Sequence, residues 1–252
     1  MTQAGMIQAG VNPPRSAMLL AAGLGTRMRP LTEATAKPLL PLGGRPLLAH
    51  ALDRLDEAGV ARVVVNAHWQ SGRVAEFLAA REGPPETVLR QEAALLDTGG
   101  SVRAALDALG PEPFFVINGD AFWVDGPTPA LLRLAAAWDG EADAVLLVHR
   151  SFQVAADVGR GDFALDPWGV VRRPKEREIV PYVFAGVQLI APALFAQAPD
   201  GAFSMNLVWD RAIAQGRLRA VVHDGLWFHL STPPDLAEAE FLLHAQVTGE
   251  AR

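Results

Sequence analysis

The sequence predicts an α/β fold: a mixed, mostly parallel sheet flanked by helices, with a small β-rich extension in its second half. Three observations carry this reading. Short apolar runs alternate with amphipathic helical patterns from residue 17 onward, as parallel βαβ units do. A glycine-rich turn, Gly23 to Gly25, follows the first apolar run, where doubly wound sheets open their ligand crevice. The chain has 252 residues, 50% of them apolar, which suits one large core better than two full domains.

The elements follow in order. A flexible tail is expected over residues 1–16, with no basic start and no apolar run of leader length. Met18 to Ala22 (MLLAA) predicts the first strand. Pro46 to Gly59 (PLLAHALDRLDEAG) places its leucines at helical spacing and stops at a glycine, and Arg62 to Asn66 (RVVVN) is the next strand. Gln70 to Gly83 predicts a second crossover helix, and Thr87 to Arg90 a strand. A helix is entered at Gly99 or Gly100, and the apolar run PFFVIN makes a strand ending at Asn118. A helix near Pro129 to Trp138 and a strand at Ala144 to His149 complete a first half, residues 17–150.

The second half, residues 151–252, is less regular. Asp162 to Val171 predicts a β-ribbon turning at DPWG, and Tyr182 to Ile190 a strand. A helix is expected at Met205 to Gln215 and strands at Leu218 to Val222 and Trp227 to Leu230. A final helix starts after Thr232 as N-cap. This half extends the same sheet and covers one side of a crevice. The turns at Gly23, Asn66 and Asn118 to Asp120, all at strand carboxyl ends, are expected to share that crevice.

Composition removes several function classes. Lys plus Arg number 22 against 28 Asp plus Glu, a net charge of −6, so there is no electrostatic footprint for nucleic acid. The absence of cysteine excludes a disulfide framework, a Cys-ligated zinc or iron–sulfur site and a thiol nucleophile, and is compatible with the cytoplasm, the expected location. The uncharged stretch Ile179 to Pro199 is broken by Pro181, Gly186, Gln188, Pro192, Gln197 and Pro199, so no membrane span is expected.

Glycine after a first strand points to phosphate, because Gly23 and Gly25 let backbone N–H groups approach an anion closely. A dinucleotide fingerprint needs glycine where Met28 stands and an acid where Asn66 stands, and no P-loop string occurs. What remains is a glycine loop carrying Arg27 and Arg29, followed by Lys37 among Pro30, Pro38 and Pro41. Several cations beside backbone donors suit a polyphosphate, whereas the glycines alone fit a solvated turn equally well. Lys37 precedes a proline, which favours its presentation from extended chain.

The string GLGTRMRPLTEATAKPLLPLGGRPLL, residues 23–48, resembles the signature of the sugar-1-phosphate nucleotidyltransferases. Further matches are LLDTGGSVRAAL (95–106), INGDAF (117–122), GRGDF (159–163), FAGVQLIAPALF (184–195) and GLWFHLSTPPDLAEAE (225–240). The resemblance implies a Rossmann-like sheet and one nucleotidyltransferase domain over 17–252, its first half nucleotide-binding and its second half sugar-binding. It also implies the reaction: a sugar 1-phosphate oxygen attacks the α-phosphorus of a nucleoside triphosphate and pyrophosphate leaves.

Carried over by position, Ala22, Gly23, Gly25, Thr26, Arg27 and Lys37 would meet the triphosphate. Glu92, Gly99 and Gly100 would meet the base, and Asn118, Asp162 and Gly186 the sugar. Arg27, Lys37 and Asp120 would be catalytic. Asp120 would hold Mg²⁺, or Mn²⁺, together with His229, which stands where the family usually has a second Asp. Imidazole favours Mn²⁺ over Mg²⁺. UTP is the expected nucleotide and N-acetylmuramate 1-phosphate the expected acceptor, in peptidoglycan recycling. Guanylyl transfer to mannose 1-phosphate, thymidylyl transfer to glucose 1-phosphate, and a nucleotide-sugar-sensing subunit are the alternatives.

Overall fold

A computed structural model of the chain describes residues 12–154 and 158–248, so most of the expected tail lies outside it. Strand β1 (Ser16–Leu20) is followed by short 3-10 turns at Thr26–Met28 and Lys37–Leu39 and a small hairpin, β2 (Pro41–Leu42) and β3 (Arg45–Pro46). Helix α1 (Leu47–Glu57), β4 (Arg62–Ala67), α2 (Ser71–Ala80) and β5 (Glu86–Gln91) come next. Then follow α3 (Asp97–Ala104), α4 (Leu106–Leu109), β6 (Phe114–Asn118), β7 (Phe122–Val124), α5 (Ala130–Ala136) and β8 (Ala144–Arg150). The chain continues through the ribbon β9 (Ala164–Leu165) and β10 (Val171–Arg172), β11 (Tyr182–Ile190), α6 (Met205–Ala214), β12 (Leu218–Val222), β13 (Leu226–Phe228) and α7 (Pro233–Thr248).

Seven strands form the central sheet in the order β12-β8-β11-β6-β1-β4-β5. β11 alone among them runs against its neighbours, β6 and β8; the remaining pairings are parallel. The runs of β4 and β6 are continuously apolar because both faces of the sheet are covered. On one face lie Leu48, Ala51, Leu52 and Leu55 of α1, spaced as one helical stripe, with Leu131 and Leu134 of α5. The other face is covered by Val102 of α3 and by Val208, Trp209 and Ala212 of α6. Burying each leucine contributes about 1.5–3 kcal/mol.

This order decides where a ligand can sit. From central β1 the chain moves outward to β4 and β5, then returns to β6 on the opposite side of β1. The connections leaving β1 and β6 therefore diverge, and a crevice opens at their carboxyl ends.

Two features of the second half shape the neighbouring wall. The register of β11 against β8 shifts between Phe184 and Gln188, around Gly186 at φ 81°. This bulge bends the strand beside the end of β6. The ribbon turns at Asp166 to Gly169, where the Asp166 carboxylate accepts from the N–H groups of Trp168 and Val170. Helix α7 starts after Thr232, and Asp235 reaches back to accept from the N–H groups of Ser231 and Thr232 at 2.9 and 2.7 Å, so Thr232 is served as well as serving.

Candidate active site

A cleft of about 540 Å³ occupies the crevice at the ends of β1 and β6. Its floor is the turn after β1. Gly25 holds the left-handed conformation at φ 59°, and a Cβ there would stand 3.0 Å from Cγ2 of Thr32 and 3.1 Å from Cβ of Lys37. Only glycine lets the loop close this tightly. Thr32 is fully buried, and its hydroxyl donates to the Gly25 carbonyl at 2.7 Å, so the loop returns on itself and sets Lys37 beside its own start.

The opposite wall is the turn after β6. The Gly119 N–H donates to the Leu20 carbonyl at 2.9 Å, and a Cβ on Gly119 would press on that carbonyl at 2.8 Å and on Pro38 at 2.9 Å. The turn thereby locks to both β1 and the lysine loop, and Asp120 meets Lys37. Nζ of Lys37 donates to Oδ2 of Asp120 at 2.5 Å, with the lysine side chain only 12% exposed. Arg27 lines the same cleft. Beside them, burial pushes the His229 imidazole below its usual pKa. Arg27 and Lys37 lower it further, while Asp235 and Asp120 oppose them. His229 also packs against Trp227, ring centroids 5.7 Å apart.

At the far end of the cleft stands Glu92. Its Oε1 accepts from the Asn66 amide at 2.7 Å, and its Oε2 is buried without a hydrogen-bond partner. The Asn66 side chain, itself buried, also accepts from the Ala21 N–H at 2.8 Å. An unpaired buried acceptor is costly, and Glu92 lines the cleft at this end.

The cleft brings together Ala22, Gly23, Gly25, Thr26, Arg27, Lys37, Glu92, Asn118 and Asp120 from the expected residues. Gly99 and Gly100 are placed elsewhere. Both donate their N–H groups to the Phe203 carbonyl, at 2.9 and 3.0 Å, and any Cβ would collide with Phe203 or with the Gly201 carbonyl. Their geometry serves the packing of α3 against the start of α6. The cleft here is lined instead by Leu95, Asp97, Thr98 and Ser101. Asp162 accepts from the Phe184 N–H at 2.8 Å, which steadies the entry to the β11 bulge. Gly186 sits against Asn118 and Ala121, where a Cβ would come within 3.0 Å of Ala121.

Thr32 and Ser231 belong to the site without having been singled out for it, and Asn66, whose turn was expected at the crevice, lines it. Asn66 had a legible signal, a polar residue closing a valine run at a strand's carboxyl end. Among the described residues no group of three His, Asp or Glu side chains stands ready to hold a metal ion. Asp120 with His229 nearby is the donor set present, and it fits a hard divalent cation whose remaining ligands are phosphate oxygens and water.

Comparison with known proteins agrees with this geometry. Residues 17–223 match the model of the MobA-like NTP transferase domain. The chain is 40% identical over 232 residues to the N-acetylmuramate alpha-1-phosphate uridylyltransferase of Caulobacter vibrioides, covering 90% of this chain and 96% of that protein. It is 34% identical to the protein of the same name from Neisseria meningitidis serogroup B, covering 91% and 98%. A solved UDP-glucose pyrophosphorylase complexed with UDP-glucose superimposes with a TM-score of 0.78 at 15% identity, covering 92% of this chain and 99% of that one, and shares the fold.

Proposed function

The chain belongs to the MobA-like NTP transferase family, and from that premise we propose that it transfers uridylate from UTP to N-acetylmuramate 1-phosphate, releasing pyrophosphate. The chain is a sugar-1-phosphate nucleotidyltransferase; the nucleotide, the acceptor, the residue roles and the metal make up the proposal. The observation that carries it is the Lys37–Asp120 pair at the β1/β6 crevice, in a chain 40% identical to a named muramate uridylyltransferase along nearly its whole length.

The chemistry asks for charge control, with no proton shuttle. A phosphate monoester has a second pKa of about 6, so the acceptor oxygen is already ionised near neutrality. The obstacles are the mutual repulsion of two polyanions and the charge that develops on the leaving pyrophosphate, which oriented cations and N–H donors relieve. Arg27 and the backbone from Gly23 to Thr26 hold the β- and γ-phosphates. Lys37, aimed by Asp120, bridges the α-phosphate and the incoming sugar phosphate. A Mg²⁺ or Mn²⁺ ion held by Asp120, with His229 beside it, would neutralise α-phosphate charge when bound.

Glu92 gives the base end its selectivity. Its unpaired oxygen calls for an N–H at the base's pairing edge, which N3 of uracil or thymine and N1 of guanine supply. Cytosine and adenine present a lone pair there and leave two acceptors facing, a mismatch that a site built on hydrogen bonds rejects strongly. Among the three bases that fit, the relatives favour uracil. On the acceptor side, Asn118, Asp162 and Gly186 border the space left for the sugar. The product would enter peptidoglycan recycling in the cytoplasm.

A pyrophosphate-release assay over four nucleoside triphosphates and several sugar 1-phosphates tests the proposal. Signal confined to UTP with N-acetylmuramate 1-phosphate is expected. Turnover of GTP with mannose 1-phosphate, or of dTTP with glucose 1-phosphate, would overturn the substrate assignment, and release with no pair would overturn the activity.

A further inference from the structure

One short segment that begins at the end of β4 bonds to both ends of the cleft. The Asn66 side chain accepts from Ala21 at the start of the phosphate loop and donates to the Glu92 carboxylate. Two residues on, Nδ1 of His68 lies 2.8 Å from the Glu92 carbonyl oxygen. Nε1 of Trp69 donates to the Thr32 carbonyl at 2.9 Å, and the Gln70 amide donates to the Glu33 carbonyl at 3.0 Å. Thr32 is the residue whose hydroxyl closes the loop on Gly25. Gln70 makes its bond from a left-handed backbone at φ 53°, an unfavourable conformation for a residue with a side chain, held just ahead of α2.

We propose that Asn66 to Gln70 is a strut that fixes the separation between the base-binding end and the triphosphate-binding end of the cleft, with Trp69 its principal positioning residue toward the phosphate loop. The inference rests on the nucleotidyl-transfer reading above and adds a role for residues outside the cleft's charged set. The strut matters because the nucleotide must bring its α-phosphorus to Lys37 while its base is held at Glu92. A loop freed by a fraction of an ångström to an ångström misplaces the cations, an error that can cost up to about 10²-fold in rate. The carbonyls of Thr32 and Glu33 sit midway along the loop between Gly25 and Lys37. Tying them down stiffens that loop against the sheet without placing any group on the nucleotide.

Trp69→Phe removes the indole N–H and keeps an aromatic ring in the same packing. Calorimetric titration with UMP and with a non-hydrolysable UTP analogue, together with steady-state kinetics, tests the strut. UMP engages the base end and is expected to bind within about twofold of the unaltered chain. The UTP analogue is expected to bind at least about fivefold more weakly and kcat to fall by a similar factor, on the scale of one hydrogen bond. Gln70→Ala, which cuts the second tie at a partly exposed position, is expected to act in the same direction by at least about twofold and serves if Trp69→Phe does not fold. Equal weakening of UMP and the UTP analogue, or no change in either, overturns the strut. An unaltered chain that binds UTP analogue but turns over no sugar phosphate refutes the functional reading instead.

Discussion

At the scale of single residues, electrostatics outweighs acid–base chemistry in this site. Lys37→Ala and Asp120→Asn are each expected to lower turnover in a pyrophosphate-release assay by about 10²-fold or more, the size of losing one charge contact in a transition state. Because the two side chains are hydrogen-bonded to each other, the double variant is expected to lose less than the product of the single losses. Full multiplicativity would mean that they act independently. Glu92→Gln supplies an amide in place of the unpaired carboxylate oxygen, and the ratio of CTP to UTP turnover is expected to rise at least about tenfold on the hydrogen-bond scale; an unchanged ratio removes Glu92 from base selection. The cations and Asp120 were legible in the sequence because a local string carries them. Asn66 was legible as a turn at the crevice, but its bonds were not, since its partners Ala21 and Glu92 follow other strands, β1 and β5. The packing neighbour of Gly99 and Gly100 was hidden for the same reason: it is Phe203, far along the chain.

Elements were easier to read than contacts. The strands at Tyr182–Ile190 and Leu218–Val222 coincide with the expected spans. The first strand begins at Ser16, two residues before the expected Met18, since pairing with Arg62 and its neighbours extends it past the apolar run. Helix α3 begins at Asp97, ahead of both candidate glycines, with Asp97 itself in the left-handed region at φ 57° and its carboxylate accepting from the Thr98 N–H. The direction of β11 was not legible at all, since periodicity carries no sense of orientation. Gly100→Ala tests the packing assignment for α3: overpacking against the Gly201 carbonyl is expected to cost about 1–3 kcal/mol in denaturant unfolding, and a neutral effect would contradict it. Between β8 and β12, His149 lies buried beside His223 and Trp227, with its ring centroid 5.9 Å from each. Burial, helped by His223 and Arg150, lowers its pKa from 6.5 to about 4. The unfolded chain therefore binds more protons in that interval. This contribution to stability is fully present above pH 6.5 and is lost as pH falls toward 4. His149→Phe is expected to flatten that part of the profile of thermal midpoint against pH, and an unaltered slope would show that other groups set it.

For the whole molecule, the decisive fact is the order of strands. A chain that fills β5 and β4 on one side of β1 and then crosses to β6 must open a crevice where β1 and β6 end. The phosphate loop and the Asn118 to Asp120 turn are the two segments that leave at that point. β11, β8 and β12 then continue the same sheet and bring the ribbon, the β11 bulge and His229 to one side of the opening. The sequence shows which segments carry chemistry, whereas only the assembled sheet brings residues 83 positions apart into hydrogen-bond contact.

The most direct measurement is a crystal structure of the chain with a non-hydrolysable UTP analogue. The uracil should lie against Glu92, the β- and γ-phosphates over Gly23 to Arg27, and the α-phosphate within hydrogen-bond reach of Lys37. A nucleotide found outside this cleft, such as in the groove between Arg15 and Pro113 at the opposite ends of the strands, would contradict the account at its root.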